Sequence, residues 1–458
     1  MSLQESNRIQ LILNGPIHSM LFKLAAPNMF SVFFMLIIAF AEPFFAGQLG
    51  IIPLASVAMV FPLVSLSGMI GAGAIGGGVV SSLSRAIGKN DLNRANTVIW
   101  HSVIIYIVVA LTFFILFVFF SRNLFILMGA EPSVVDQAVG YTRIFFCLSP
   151  TIFLFYLMLS IYRSFGDYQL LAIINVSMGL LQLFLSGALS MGWFFFPSLG
   201  INGLALAIIL PQAFFATTMM ISIFSGKYPV KLKISKFRKD IFVDILNVGG
   251  LGAINSTSIA LTMIFTTTFI SRFGTEAIAG YGVCARLEQT LIPLAFGVGG
   301  VLTSCVGTNF GANQFSRARK ASWFGAFFIA SIAAIVGITF SISPSLWLDF
   351  FTTNNDAYLI GALYLTIVAP FYPIFALGKT LYFASQGTGK MLIPITGGLT
   401  RLLIVTTLGF LCVVLELEIK FLFFVIGFAM SSVGLILSIN MFGLVWNPNK
   451  ILNRTNSI

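Results

Sequence analysis

The sequence predicts an all-α membrane protein in which twelve transmembrane helices form two parallel six-helix repeats. Three observations carry that expectation: composition, run length and self-similarity. Of 458 residues, 58% are hydrophobic and 9% charged, and the mean hydropathy is +1.00, which leaves too little polar surface for a chain dissolved in water. Soluble enzymes, nucleic-acid binders and secreted disulfide scaffolds are excluded first, since each needs more polar surface or more paired cysteine. Cys147, Cys284, Cys305 and Cys412 sit in apolar stretches without metal-ligand spacing and read as small packing residues.

A helix crossing about 30 Å of hydrocarbon takes roughly 20 apolar residues. Runs of that kind centre on residues 20–46, 53–83, 96–120, 134–158, 169–193, 200–224, 241–271, 277–308, 318–345, 357–380, 391–415 and 420–445. They are continuously apolar, where a β-barrel would alternate over segments of about ten residues. The first run follows a polar stretch and, at 20–47, exceeds the apolar core of a cleavable signal peptide, so it is expected to remain as a span.

Basic residues flanking spans are retained on the cytoplasmic side. The N-terminus, the even-numbered loops and the C-terminus hold 18 of the 25 Lys and Arg: Arg8, Lys23, Arg85, Lys89, Arg94, Arg163, Lys227, Lys231, Lys233, Lys236, Arg238, Lys239, Arg317, Arg319, Lys320, Lys390, Lys450 and Arg454. The odd loops hold Arg122, Arg272 and Lys420 beside seven carboxylates. Both termini are therefore expected in the cytoplasm. The basic stretch 227–239 reads as a topology determinant joining two halves rather than a nucleic-acid or lipid patch. The domain expectation is an N-terminal lobe at 1–225, a cytoplasmic linker at 226–240 and a C-terminal lobe at 241–458.

Sliding the chain against itself by 223 positions superposes Gly76 on Gly299, Gly77 on Gly300, Ser81 on Ser304 and Gly88 on Gly311. Arg94 then meets Arg317, Trp100 meets Trp323, Tyr141 meets Tyr364, Pro150 meets Pro373 and Gly166 meets Gly389. Each copy contains six spans, so both enter the membrane from the same side. Two parallel six-helix halves are a recurring design of secondary transporters. No GxxxxGK[ST] loop and no nucleotide-binding domain is present, which leaves an ion gradient as the expected energy source.

An ionisable residue at mid-bilayer costs about 2.5–3.5 kcal/mol on insertion scales, so each is a functional candidate. Glu42 lies in span one with no basic residue at i±3 or i±4. Its desolvated carboxyl favours the neutral form, the property a proton carrier requires. Pro43 cannot donate to the Ala39 carbonyl, nor Pro27 to that of Lys23, giving span one two points of easy bending. Arg286 and Glu288, two apart in span eight, cannot neutralise each other, and Arg401 in span eleven is the expected structural partner of Glu288. Asp244, Arg143 and Lys379 are expected near span ends in reach of water. His18 and His101 are expected at solvated or interfacial positions. Span five offers Asn175, Gln182 and Ser186, and span seven offers Asn255, Thr257 and neighbouring hydroxyls. Together with Pro27 these are cavity-lining candidates, although such residues also pack helices together.

The stretches "AEPFFAGQLG" at 41–50, "LASV" at 54–57, "SRAIGKNDLNRA" at 84–95 and "LGINGLALA" at 199–207 fall in the first half. The second half answers with "FGTEAIAGYGVCARLE" at 273–288 and "GTNFGANQFSRARKA" at 307–321. In order and spacing the chain resembles the multidrug and toxic compound extrusion (MATE) family of cation-coupled antiporters. The resemblance implies two six-helix lobes open alternately to either side, exporting amphipathic, often cationic compounds against inward proton or sodium flow. Glu42 stands where the family usually has Asp. The family's helix-five amide and second carboxylate fall on Gln182 and Ser186, and the helix-seven carboxylate of some relatives has no counterpart.

With one carboxylate in the first lobe, a sodium site is weakened, because hard cations favour several oxygen ligands including charge. The expectation is a proton-coupled multidrug efflux antiporter of the bacterial inner membrane: a monomer embedded in lipid, taking small amphipathic or cationic substrates, with no catalytic residues, metal site, cofactor or nucleic-acid partner. The alternatives are a Na⁺-coupled antiporter of the same family and a lipid-linked oligosaccharide flippase of related fold. The flippase calls for basic residues lining the cavity, for which Arg286 and Arg401 are the candidates. A channel or a membrane sensor is the reading from a different class.

Overall fold

A computed structural model describes residues 3–128, 131–226, 228–231, 233–351 and 354–447. Lys227, Lys450 and Arg454 of the basic set lie outside the described residues, as do position 232 of the expected linker and the last eleven positions of the expected C-terminal lobe, 448–458. Among the described residues the regular elements are all helical. Eleven helices of the described residues are long and apolar enough to cross a membrane, twelve when a bent pair is taken as one span. Span one is Ile17–Leu49, span two Ile51–Gly88, span three Leu92–Leu127, span five Tyr168–Met191 and span six Ile201–Phe224. Spans seven to twelve are Lys239–Phe273, Thr275–Gly311, Phe315–Ile342, Asn355–Thr388, Leu392–Val414 and Ile419–Asn440. Each overlaps an apolar run read from the sequence.

Span four is the bent pair, Pro132–Cys147 and Ser149–Ser164, meeting at 54°. Its second half starts with Pro150 in the first turn, whose missing N–H leaves the Phe146 carbonyl without its i+4 donor. The repeat partner, Pro373, sits at the same place in span ten, where helix Asn355–Val368 passes through a 3₁₀ turn at Ala369–Phe371 before Tyr372–Thr388. The two breaks are 223 residues apart because the same chemistry was duplicated. Backbone conformation repeats with them: Asn90 and Asn313 are left-handed at φ 58° and 60°, and Gly166 and Gly389 at φ 70° and 76°. A side chain at either glycine would strain the turn that ends spans four and ten.

The chain divides into two compact units, Met1–Leu11 with Ala26–Gly249, and Ile12–Ala25 with Gly250–Ile458. In the first unit the segment after span six is held along span three. The Lys231 N–H donates to Asn96 Oδ1 at 2.7 Å and the Arg238 N–H to His101 Nε2 at 2.8 Å. His101 Nδ1 faces the Thr97 carbonyl at 2.8 Å, so the ring bridges that carbonyl and the Arg238 N–H. This corrects the solvated position expected for His101, whose exposure is 0%. Asp244 meets Arg85 at 2.7 Å and Arg94 at 3.8 Å. Asp167 caps span five at Leu170 and also takes Arg8 at 2.6 Å and the Tyr228 hydroxyl at 2.8 Å. Burial first, then the Asp167 charge, pushes the Tyr228 phenol above its ordinary value, so it remains a donor.

In the second unit the start of span one and the end of the helix before it, Leu3–Asn14, are held by span nine. Arg317 Nε donates to the Ile12 carbonyl at 2.9 Å, and Phe22 packs edge-on against Phe328 at 5.2 Å. Arg163 and Cys147 also depart from expectation. Arg163, counted as a loop residue, is buried, with Nη1 3.4 Å from the Ala72 carbonyl, whereas Cys147 is exposed.

Candidate functional site

In the first unit, span one is interrupted where Pro43 predicts. Helix Ile17–Ile38 gives way to a turn at Ala39–Phe40 and resumes as Ala41–Leu49. The Ala39 carbonyl is the one Pro43 cannot serve. Pro27, by contrast, lies inside Ile17–Ile38 without interrupting it. The break puts Glu42 in the first turn of the resumed helix, where the unpaired N–H groups of a helix start favour a carboxylate.

Glu42 is half-buried and its Oε1 accepts from the Tyr141 hydroxyl of span four. Tyr141 itself is fully buried and stacked on Phe145 at 6.3 Å, so its hydroxyl is aimed rather than free. Among the described residues, no ion pair includes Glu42. A carboxylate held by a neutral donor and no cation can take up and release a proton without breaking a salt bridge.

Span five closes against the break. Asn175, Gly179, Gln182 and Ser186 share one face by helical spacing. A Cβ at Gly179 would meet Ile38 Cγ1 and Phe34 Cε1 at 3.0 Å each. Asn175 is half-buried, Gln182 is buried, and the buried Ser186 hydroxyl donates to the Gln182 carbonyl at 2.8 Å. Ser186 is thus turned into its own helix.

A cavity of about 540 Å³ opens beyond the end of span one, lined by Leu49, Pro53, Asp136, Gln137, Gly140 and the segment 199–202. Gln137 and Asn202 each bring a buried amide oxygen without a partner among the described residues. Gln137 lies one turn before Tyr141, so the cavity adjoins the element that holds Glu42. Pro27, Asn175, Gln182, Ser186, Asn255 and Thr257 do not line it.

The second unit holds a denser cluster. Glu288 Oε1 accepts from Arg401 Nη2 at 2.7 Å, and Glu288 Oε2 accepts from the Tyr364 hydroxyl at 2.8 Å. Arg286 is exposed and joins no ion pair among the described residues. Lys379, expected at a wet span end, is instead 3% exposed, its ammonium 5.3 Å from the centroid of Phe375. Arg401 lies over the same ring at 4.7 Å. Asn255 is buried and its neighbour Ser258 would stand 3.0 Å from a Cβ at Gly398, so it packs span seven on span eleven. Thr257 is exposed and its hydroxyl returns to the Ala253 carbonyl at 3.1 Å.

Reading single residues missed Tyr141, Tyr364 and Lys379 as site members. The two tyrosines were visible as a repeat pair, and that coincidence of a hydroxyl ring at matched positions was the available signal. Lys379 carried no signal beyond being a cation in an apolar run. Among the described residues, no cluster of three or more His, Cys, Asp or Glu has the geometry to hold a metal ion.

Helix count, duplicated breaks and ionisable groups inside the bundle define the class: a polytopic membrane transporter built from a repeat. The MatE family model matches residues 27–187 and 253–411. The chain belongs to this family, the MATE multidrug efflux transporters. It is 25% identical to a Bacillus subtilis protein named "Probable multidrug resistance protein YoeA", over 76% of each chain. It is 23% identical to a Shewanella oneidensis protein named "FAD transporter", over 82% of each. In fold it resembles a solved outward-facing MATE transporter of the MOP superfamily, with a TM-score of 0.85, 20% identity and 98% of both chains covered.

Proposed function

We propose that this MATE transporter is a proton-coupled antiporter exporting amphipathic or cationic organic compounds, with Glu42 as the residue that exchanges H⁺ for substrate. The observation that carries the reading is the environment of Glu42: an intramembrane carboxylate at a helix break, held by the Tyr141 hydroxyl and by no cation among the described residues. In the charged form it attracts a cationic substrate. Protonation removes that attraction, and the break at Ala39–Phe40 lets the Ala41–Leu49 segment reorient. With Ser186 bonded into its own helix, Glu42 has no second carboxylate from span five, which favours H⁺ over Na⁺ as coupling ion. One charge moving down about 100 mV releases about 2.3 kcal/mol, enough to sustain a modest substrate gradient per proton. The placement is a bacterial inner membrane with both termini cytoplasmic, the protein acting as a monomer.

The test is efflux of a lipophilic cation from everted vesicles with H⁺ and Na⁺ gradients imposed separately. Efflux driven by the proton gradient alone is expected. Efflux that follows only the sodium gradient overturns proton coupling, and wild-type transport by Glu42→Gln overturns the role of Glu42.

A further inference from the structure

The second unit contains polar groups that the Glu42 mechanism leaves unused. Tyr372, Phe375 and Lys379 occupy positions i, i+3 and i+7 of helix Tyr372–Thr388 and so share one face. Arg401 reaches this face from span eleven, its guanidinium 4.7 Å from the Phe375 centroid, while the Lys379 ammonium lies 5.3 Å from the same centroid. Two cations therefore border one aromatic ring.

The Glu288 carboxylate beside them is already engaged at both oxygens, Oε1 by Arg401 and Oε2 by Tyr364. Among the described residues, Arg401 Nε and the Tyr372 hydroxyl are buried without a partner. Lys379, 3% exposed, makes no hydrogen bond or ion pair among the described residues. With Lys379 protonated the cluster carries one positive charge in excess, and among the described residues it holds three unused donors, on Lys379, Arg401 and Tyr372. Buried donors without acceptors and an uncompensated intramembrane cation are costly, and they persist where a ligand completes them. The chemistry that would complete this set is an oxyanion, which accepts several hydrogen bonds and cancels one charge. The 3₁₀ turn at Ala369–Phe371, directly before Tyr372, is the point where this half of span ten can swing to admit it.

We infer that Lys379, Arg401 and Tyr372 form an oxyanion-binding subsite that takes a carboxylate or phosphate group. The inference rests on the transport reading for its place in the cycle, where it extends the substrate class from cations to zwitterions and anions. Binding itself is read without transport. Rhodamine 110, which carries a free carboxylate, and rhodamine 123, its methyl ester, differ at the one group in question. Fluorescence polarisation of each dye with the purified full-length protein in detergent measures both affinities.

Lys379→Met is expected to weaken rhodamine 110 binding about tenfold, the worth of one charge-assisted hydrogen bond, while rhodamine 123 stays within about twofold. Lys379→Arg keeps the carboxylate preference. Glu42→Gln also keeps it, which separates this subsite from the proton site. Displacement of rhodamine 110 by inorganic phosphate identifies a free anion as a natural occupant. Displacement by dihexanoyl phosphatidylglycerol alone identifies a lipid headgroup, and displacement by neither leaves the substrate's own oxyanion. Equal affinity of the wild-type protein for the two dyes, or an equal loss of both in Lys379→Met, overturns the inference.

Discussion

The two halves of the chain place equivalent tyrosines against carboxylates and then diverge. Tyr141 and Tyr364, 223 residues apart, each donate a hydroxyl, to Glu42 in the first unit and to Glu288 in the second. Glu42 comes from span one and meets no cation among the described residues, whereas Glu288 comes from span eight and meets Arg401 at 2.7 Å with Lys379 close by. Duplication preserved the scaffold of broken helices and the donor. What each lobe did with the donor was decided by which neighbouring helix supplied the acid and whether a base followed it. Among the described residues, one carboxylate has no ion pair, and the other is paired with Arg401 with the buried Lys379 beside the same Phe375 ring.

Glu42→Gln is the sharpest way to break this contrast. Driven efflux in proteoliposomes should fall to the level of protein-free vesicles while the protein remains folded. Transport that survives moves coupling away from the first lobe. Next comes Arg401→Met, which strands the buried Glu288 charge at a cost of about 3–5 kcal/mol. Thermal unfolding in detergent should register that loss, and adding Glu288→Gln should recover most of it. A double variant no more stable than the single one contradicts the fixed pair.

Tyr141→Phe removes a hydrogen bond to a charged group worth about 1.5–3 kcal/mol, and antiport should slow by about tenfold or more. Tyr364→Phe should leave the antiport rate nearly unchanged, because Glu288 keeps Arg401. Equal effects of the two substitutions erase the proposed difference between lobes. Gly179→Ala pushes a methyl into Ile38 and Phe34 beside the span-one break and should cost about 1–3 kcal/mol of stability. At the low end, Arg122→Ala breaks an exposed pair with Asp136 and should change stability by less than about 0.5 kcal/mol.

The span pattern was legible because a membrane filters sequences coarsely. Each crossing needs a long apolar run, and such runs can be counted. Proline chemistry was legible in part: Pro43 marked the break in span one, whereas Pro150 and Pro373 stood out only as a repeat pair, and the structure shows the matched breaks beside them in spans four and ten. Pro27 shows the limit of that rule, since its helix runs on through it. Side-chain function was less legible. Ser186 and Thr257 read as cavity residues, yet both hydroxyls bond to their own helices, a choice between neighbours that spacing cannot reveal. His101 and Lys379 read as water-facing from their places in the chain, and packing from other helices buried both.

The amino-acid order by itself therefore determined what depends on local chemistry and chain length: apolar runs that must be helical in lipid, prolines that must leave a carbonyl unserved, and a repeat written twice. Only the tertiary structure decided which groups meet. Tyr141 reaches Glu42 across 99 residues, and Arg401 reaches Glu288 across 113. Such pairings depend on the rotation and depth of each helix against its neighbours, which side-chain packing sets and hydropathy does not encode.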